Sequence, residues 1–158
     1  MTWRLLPLLP LLAALAACGG PQDRYGARET ATEAAQRIAA IAAADWAAAE
    51  SVTVTLDEYS FAPDALNLRA GRTYALTLVN AGAAAHTFTA PDFFRAIAMR
   101  PPAPGQGAHG VAPLESVALG EGQSRTLAFV AVTPGAYALA CERPLHGVFG
   151  MKGTIRIE

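Results

Sequence analysis

A small all-β sandwich is the fold class that the sequence predicts, and three observations predict it. From Ser51 onward the apolar residues recur with a period of two, and turns rich in glycine and proline interrupt them repeatedly. The one long stretch of helix-forming composition, residues 27–50, lies ahead of that region. The chain has 158 residues, enough for one ordinary domain and a little more.

The chain opens with Arg4 and a leucine-rich run from Leu5 to Ala17, thirteen residues in all. A bilayer-spanning helix needs about 20, so the run reads as a cleaved secretory signal, residues 1–17. It ends in Leu15-Ala16-Ala17-Cys18-Gly19, which resembles the bacterial lipobox, after which the cysteine is lipidated and becomes the first mature residue. The expected location is therefore the cell envelope, in the periplasm, with the protein anchored to a membrane through lipid on Cys18. Residues 18–50 form the linker to the domain. Within it, alanine dominates from Ala27 to Glu50 without glycine or proline, which predicts a helix. Its large apolar residues are few: Ile38 and Ile41 on one face, and Trp46 beyond. Such a helix buries little by itself, and reads as a spacer or as a helix leaning weakly on the domain.

The domain, residues 51–158, begins with "SVTVTLDEY", where Val52, Val54 and Leu56 alternate with Thr53, Thr55 and Asp57 as in a half-buried strand. "ALNLRAGRTYALTLVN" gives two strands around a turn at Ala70-Gly71, and His86 to Thr89 another after a loop of small residues. "PDFFRAIAM" has Pro91 at a helix start and Phe94, Ile97 and Ala98 at helical spacing, which predicts a short helix through Ala98. "RPPAPGQGAHG" is an irregular loop. "SRTLAFVAV", "AYALAC" and "GTIRIE" are strands, the first two separated by Thr133-Pro134-Gly135. Many short strands between turns predict an antiparallel sandwich.

Charge excludes one class of function. Twelve basic residues stand against thirteen acidic ones, without a polybasic stripe, so nucleic acid is not an expected partner.

Cysteine usage points to a metal. With Cys18 carrying lipid, Cys141 is the one thiol of the mature protein and has no disulfide partner. A lone thiol outside the cytoplasm is open to oxidation unless a metal occupies it. "CERPLHGVFGMKG" places Cys141, His146 and Met151 with four residues between each. Structural zinc has little use for a thioether. Two histidines and a cysteine with a weak axial methionine is instead the blue-copper donor set. The second histidine must be His86 or His109. His86 stands where a loop re-enters a strand, which holds an imidazole firmly; His109 lies in the glycine-proline loop. His86 is the expected ligand.

These residues carry a resemblance. "TPGAYALACERPLHGVFGMKGTIRIE" and the earlier "NAGAAAHTF" resemble the cupredoxins, the type 1 blue copper proteins related to plastocyanin and azurin. The resemblance covers residues from about Ser51 to Glu158. It implies a Greek-key β-sandwich with a short helix after the first histidine strand, and one type 1 copper per chain bound by His86, Cys141, His146 and Met151. It implies an electron-transfer protein cycling between Cu(I) and Cu(II), without catalytic residues of its own and monomeric. The implied electron port is His146, ringed by Pro144, Leu145, Val148 and Phe149, and the implied partner is a redox protein such as a cytochrome or a membrane oxidoreductase. Many relatives have asparagine directly after the first histidine, tying the two ligand loops together. Thr87 stands here, and its hydroxyl can make part of that tie. Leu145 stands where relatives often have glycine, which makes the surface beside His146 bulkier and more apolar. A copper chaperone, storage or copper-sensing protein is the alternative; it is disfavoured because only Met99 and Met151 remain after signal removal. A copper oxidase needs further centres, and His109 alone cannot build one.

Overall fold

The computed structural model describes residues 30–102 and 114–158. The signal run, the lipobox with Cys18 and His109 lie outside the described residues. The first element is helix α1 (Ala31–Ala43), shorter than the composition predicts. Thr30 starts it with a capping box: its hydroxyl accepts from the Glu33 N–H, and the Glu33 carboxylate accepts from the Thr30 N–H. It stops well before Glu50 because the Asp45 carboxylate accepts the N–H groups of Ala47 and Ala48, at 3.0 and 3.2 Å. That local bonding competes with a continuing helix. Ala34, Arg37, Ala40 and Ile41 are half-buried, whereas Ile38 points to solvent, so the two isoleucines do not share one role.

Ten strands follow: β1 (Glu50–Asp57), β2 (Ser60–Ala62), β3 (Ala65–Leu68), β4 (Thr73–Asn80), β5 (His86–Thr89), β6 (Ile97–Met99), β7 (Ser116–Leu119), β8 (Ser124–Ala131), β9 (Gly135–Ala140) and β10 (Lys152–Ile157). They form two five-stranded sheets, ordered β2-β1-β4-β8-β6 and β3-β10-β9-β5-β7. Both sheets are mixed rather than antiparallel, since β1 pairs parallel with β4, and β3 with β10. Alternating hydrophobicity reports which face is buried, not which way the neighbouring strand runs. The chain leaves the first sheet after β2, adds β3 to the second, and returns as β4 beside β1, which sets the parallel pairs.

Inward-facing residues of both sheets make one core, including Leu56, Leu76, Leu78, Phe88, Phe129 and Ile155, each fully buried. Helix α2 (Pro91–Ala96) adds Phe93 and Phe94. It ends before Ile97, contrary to its helical spacing, because Ile97 to Met99 pair with Phe129 to Ala131 of β8 as β6. Cross-strand hydrogen bonding outweighs the local pattern there. Helix α1 packs against β6, and the Arg100 guanidinium lies 5.5 Å over the Trp46 ring. Among the described residues no helix is long and apolar enough to cross a membrane.

Candidate metal centre

Two stretches far apart in sequence meet at one end of the sandwich. His86 opens β5, where its backbone pairs with Leu119 of β7, and the side chain is fully buried. The loop before it is held by Asn80 at the end of β4. The Asn80 amide group donates to the carbonyls of Ala84, Leu119 and Gly120, at 2.8, 3.1 and 2.9 Å, and its oxygen accepts the Gly82 N–H at 3.0 Å. One buried side chain thus joins the loop that enters β5 to the loop that leaves β7, both at the His86 end of the strand pair. A side chain at 82 would displace its neighbours: a Cβ there would lie 2.7 Å from His86 Nε2 and 2.8 Å from both Glu58 carboxylate oxygens.

Cys141, His146 and Met151 come from the connection between β9 and β10. The Cys141 N–H donates to the Met151 carbonyl at 3.1 Å, one step beyond the Ala140–Lys152 pair of the ladder. The Met151 N–H in turn donates to the His146 carbonyl at 3.0 Å. The hairpin ladder therefore closes the nine-residue excursion between the two sulfur residues, and Met151 is fully buried at its base. His146 is only half-buried.

The donor atoms converge. Cys141 Sγ lies 4.0 Å from His86 Nδ1 and 3.8 Å from His146 Nδ1, and the three ligand atoms all lie within 4.8 Å of one another. Metal bonds of about 2.0 Å to nitrogen and 2.3 Å to sulfur, opened to a trigonal angle, separate N from S by about 3.7 Å. The spacing thus suits one ion among three donors. Burial pushes the His86 imidazole below the usual histidine range, and the nearby His146 and Arg143 push the same way, against Glu58 and Asp57. A neutral imidazole is the form that ligates.

The tie expected from Thr87 is made by its hydroxyl. The Glu142 N–H donates to Thr87 Oγ1 at 2.8 Å, joining the two ligand loops. Thr87 also points two donors at the sulfur, its N–H at 3.5 Å and its hydroxyl at 3.7 Å. Thr89 donates to Thr87 at 3.2 Å and bonds Ser116 at 2.7 Å, so the hydroxyl row is anchored in β7.

A profile of the cupredoxin-like domain matches residues 30–157. The chain belongs to the cupredoxin-like domain family. Among solved structures, dithionite-reduced auracyanin from the photosynthetic bacterium Roseiflexus castenholzii is similar at 22% identity, over 70% of this chain and 98% of that one, with a TM-score of 0.51. Auracyanin B is similar at 24% identity over 70% and 89%, with a TM-score of 0.50. The McoA multicopper oxidase from the hyperthermophile Aquifex aeolicus matches at 14% identity over 70% of this chain, 30% of that one, with a TM-score of 0.54. Identities this low establish a shared fold. No curated protein sequence matches the chain. Two imidazoles, a thiol and a nearby thioether are the donors of a type 1 copper site, and copper is the cofactor of this cupredoxin.

Sequence reasoning missed Asn80, Glu58 and Tyr59. The first signalled nothing because an asparagine after a strand is ordinary turn chemistry. The Tyr59 ring sits 5.2 Å from both His146 and Phe149. Tyr59 looked like the end of the first strand; it lies in the turn between β1 and β2.

Proposed function

We propose that this cupredoxin is a single-electron carrier of the cell envelope, in which His86, Cys141, His146 and Met151 would hold the copper. The observation that carries this reading is the convergence of a buried thiol and two imidazole Nδ1 atoms within 4.8 Å, with the buried Met151 bonded through its backbone to both Cys141 and His146. When bound, copper supplies a Cu(I)/Cu(II) couple in a geometry that suits both states. The protein supplies rigidity. Asn80 fixes the His86 loop, the β9–β10 ladder fixes Cys141 against Met151, and Thr87 joins one loop to the other. Donors held this way cannot rearrange far when the charge at the centre changes by one. Three of the four donors are buried, which suits retaining a metal rather than handing it on.

His146 is half-buried within an apolar patch. Leu145, Val148 and Phe149 are 64%, 81% and 61% exposed, and Tyr59 46%. Exposed apolar groups in one cluster mark an interaction site, which supports docking of a redox protein such as a cytochrome or membrane oxidoreductase. Lipid on Cys18 would hold the domain near such a partner in the periplasm, a reading supported by the lipobox sequence.

The deciding experiment is the visible spectrum of the oxidised, copper-loaded domain. Wild type is expected to show an intense orange-red band from thiolate-to-copper charge transfer, and Cys141→Ser to fold without it. A colourless wild type with Cu(II), or a blue serine variant, overturns the assignment.

A further inference from the structure

The two-residue turn joining β1 to β2 reaches both histidines from outside the ligand loops. Asp57 pairs with Ser60, leaving Glu58 and Tyr59 as the connection. The Glu58 carboxylate accepts the N–H groups of Ala83 and Ala84 at 2.7 and 3.1 Å, in the loop that leads into His86. It also converges with His86 Nε2 on the space beside Gly82. That nitrogen is fully buried and has no hydrogen-bond partner among the described residues. Tyr59, the next residue, packs its ring against the other imidazole, tilted by 58° with the centroids 5.2 Å apart. The His146 ring also packs against His86, with the centroids 5.0 Å apart.

The backbone shows what this placement requires. Tyr59 has φ 64°, a left-handed conformation that glycine fills freely and a bulky side chain rarely adopts. In the described residues the one other non-glycine position with positive φ is Leu145, the neighbour of His146. An outlier of this kind, kept by a large side chain where glycine fits, points to a use for the side chain. The visible use is the contact with His146 and Phe149, since the tyrosine is half exposed and contributes nothing to the core.

We infer that Glu58 and Tyr59 are positioning residues, a clamp that sets His86 through its loop and His146 through ring packing. The inference rests on the copper reading above. Its physical content is entropic: an imidazole on a loop with an open outer face samples several ring orientations, and each must be lost on binding a metal. A neighbouring ring removes that freedom beforehand, as contacts behind ligands do in other metal sites.

The test compares Tyr59→Gly, Tyr59→Phe, Glu58→Ala and Glu58→Gln in the full domain. The measurements are Cu(II) affinity by chelator competition, the charge-transfer band, the melting temperature and, in the metal-free protein, the His146 ring resonances by NMR. Tyr59→Gly relieves the backbone, so its melting temperature should hold or rise while copper affinity drops about tenfold or more and the His146 ring signals broaden. Tyr59→Phe should restore the wild-type behaviour, because the ring and not the hydroxyl makes the contact. Glu58→Ala should lower affinity likewise, whereas Glu58→Gln should stay near wild type, since both N–H groups donate to the same oxygen and an amide oxygen can accept both. Affinities within twofold of wild type in Tyr59→Gly and Glu58→Ala, with unchanged spectra, overturn the clamp. So does a loss of affinity that only tracks a fall in melting temperature. A wild type that takes up no copper refutes the copper reading instead, and unchanged ring signals in metal-free Tyr59→Gly then refute the clamp separately.

Discussion

Replacing Asn80 by aspartate changes one atom's chemistry and little of its shape. Asn80 is 1% exposed, and its amide nitrogen faces three carbonyl oxygens at 2.8 to 3.1 Å. An aspartate oxygen there meets three acceptors. The amide shares two protons among the three carbonyls; a protonated aspartic acid has one and leaves two of them without a donor, at about 1 kcal/mol each. Staying protonated has its own cost as pH rises. With an unfolded pKa of about 3.9, holding the proton to pH 7 costs about 3 units at 1.36 kcal/mol, or roughly 4 kcal/mol. The folded pKa is raised above the unfolded one, so the folded state binds more protons and stability falls with increasing pH. Asn80→Asp should therefore be less stable than wild type by about 2 kcal/mol near pH 4 and by up to about 6 kcal/mol at pH 7. The assay is urea unfolding of the metal-free domain at pH 4, 5.5 and 7, read as the difference from wild type. A difference that is constant across this range, or that shrinks as pH rises, refutes the argument that the amide donors hold this corner.

Met151→Leu should leave copper bound and raise the reduction potential, because Cu(II) loses more than Cu(I) when a weak axial donor goes; voltammetry that shows a fall contradicts a methionine ligand. His86→Gly should lose the blue band and regain it with added imidazole, whereas His109→Ala should change neither, so a spectrum collapsing in the second variant identifies the other histidine. The Glu58 carboxyl is held down to about 2 from 4.5, first by its bond with Asp57 and then by backbone N–H groups including those of Ala83 and Ala84. Its depressed value means the support is complete above 4.5 and disappears as pH falls through about 2. Acid titration of the metal-free domain by NMR should show the Ala83 and Ala84 amides shifting together at that low pH, and a midpoint near 4.5 contradicts the hydrogen bonds.

Local pattern in the sequence determined a good deal. A period of two marks a buried face whatever the strand pairs with, so β1, β4, β8, β9 and β10 were legible, as were the turns at Ala70-Gly71 and Thr133-Pro134-Gly135. The spacing of Cys141, His146 and Met151 was legible because one hairpin connection holds all three, and soft donors so close have few other uses. Other features had no local sign. Strand direction depends on where the chain goes next, so the parallel pairs β1–β4 and β3–β10 came only with the sheets. Ile97 to Met99 follow a helical spacing, yet their hydrogen bonds go to β8, and a partner in another part of the chain decides that competition. His86 was expected beside Cys141 from its place at a strand start, although fifty-five residues separate them, but the site's supports, Asn80, Glu58 and Tyr59, act across gaps of 25 to 87 residues without a local sign. Periodicity and spacing record what a residue does to its neighbours in sequence; a contact between distant loops exists only once the sandwich has brought their ends together.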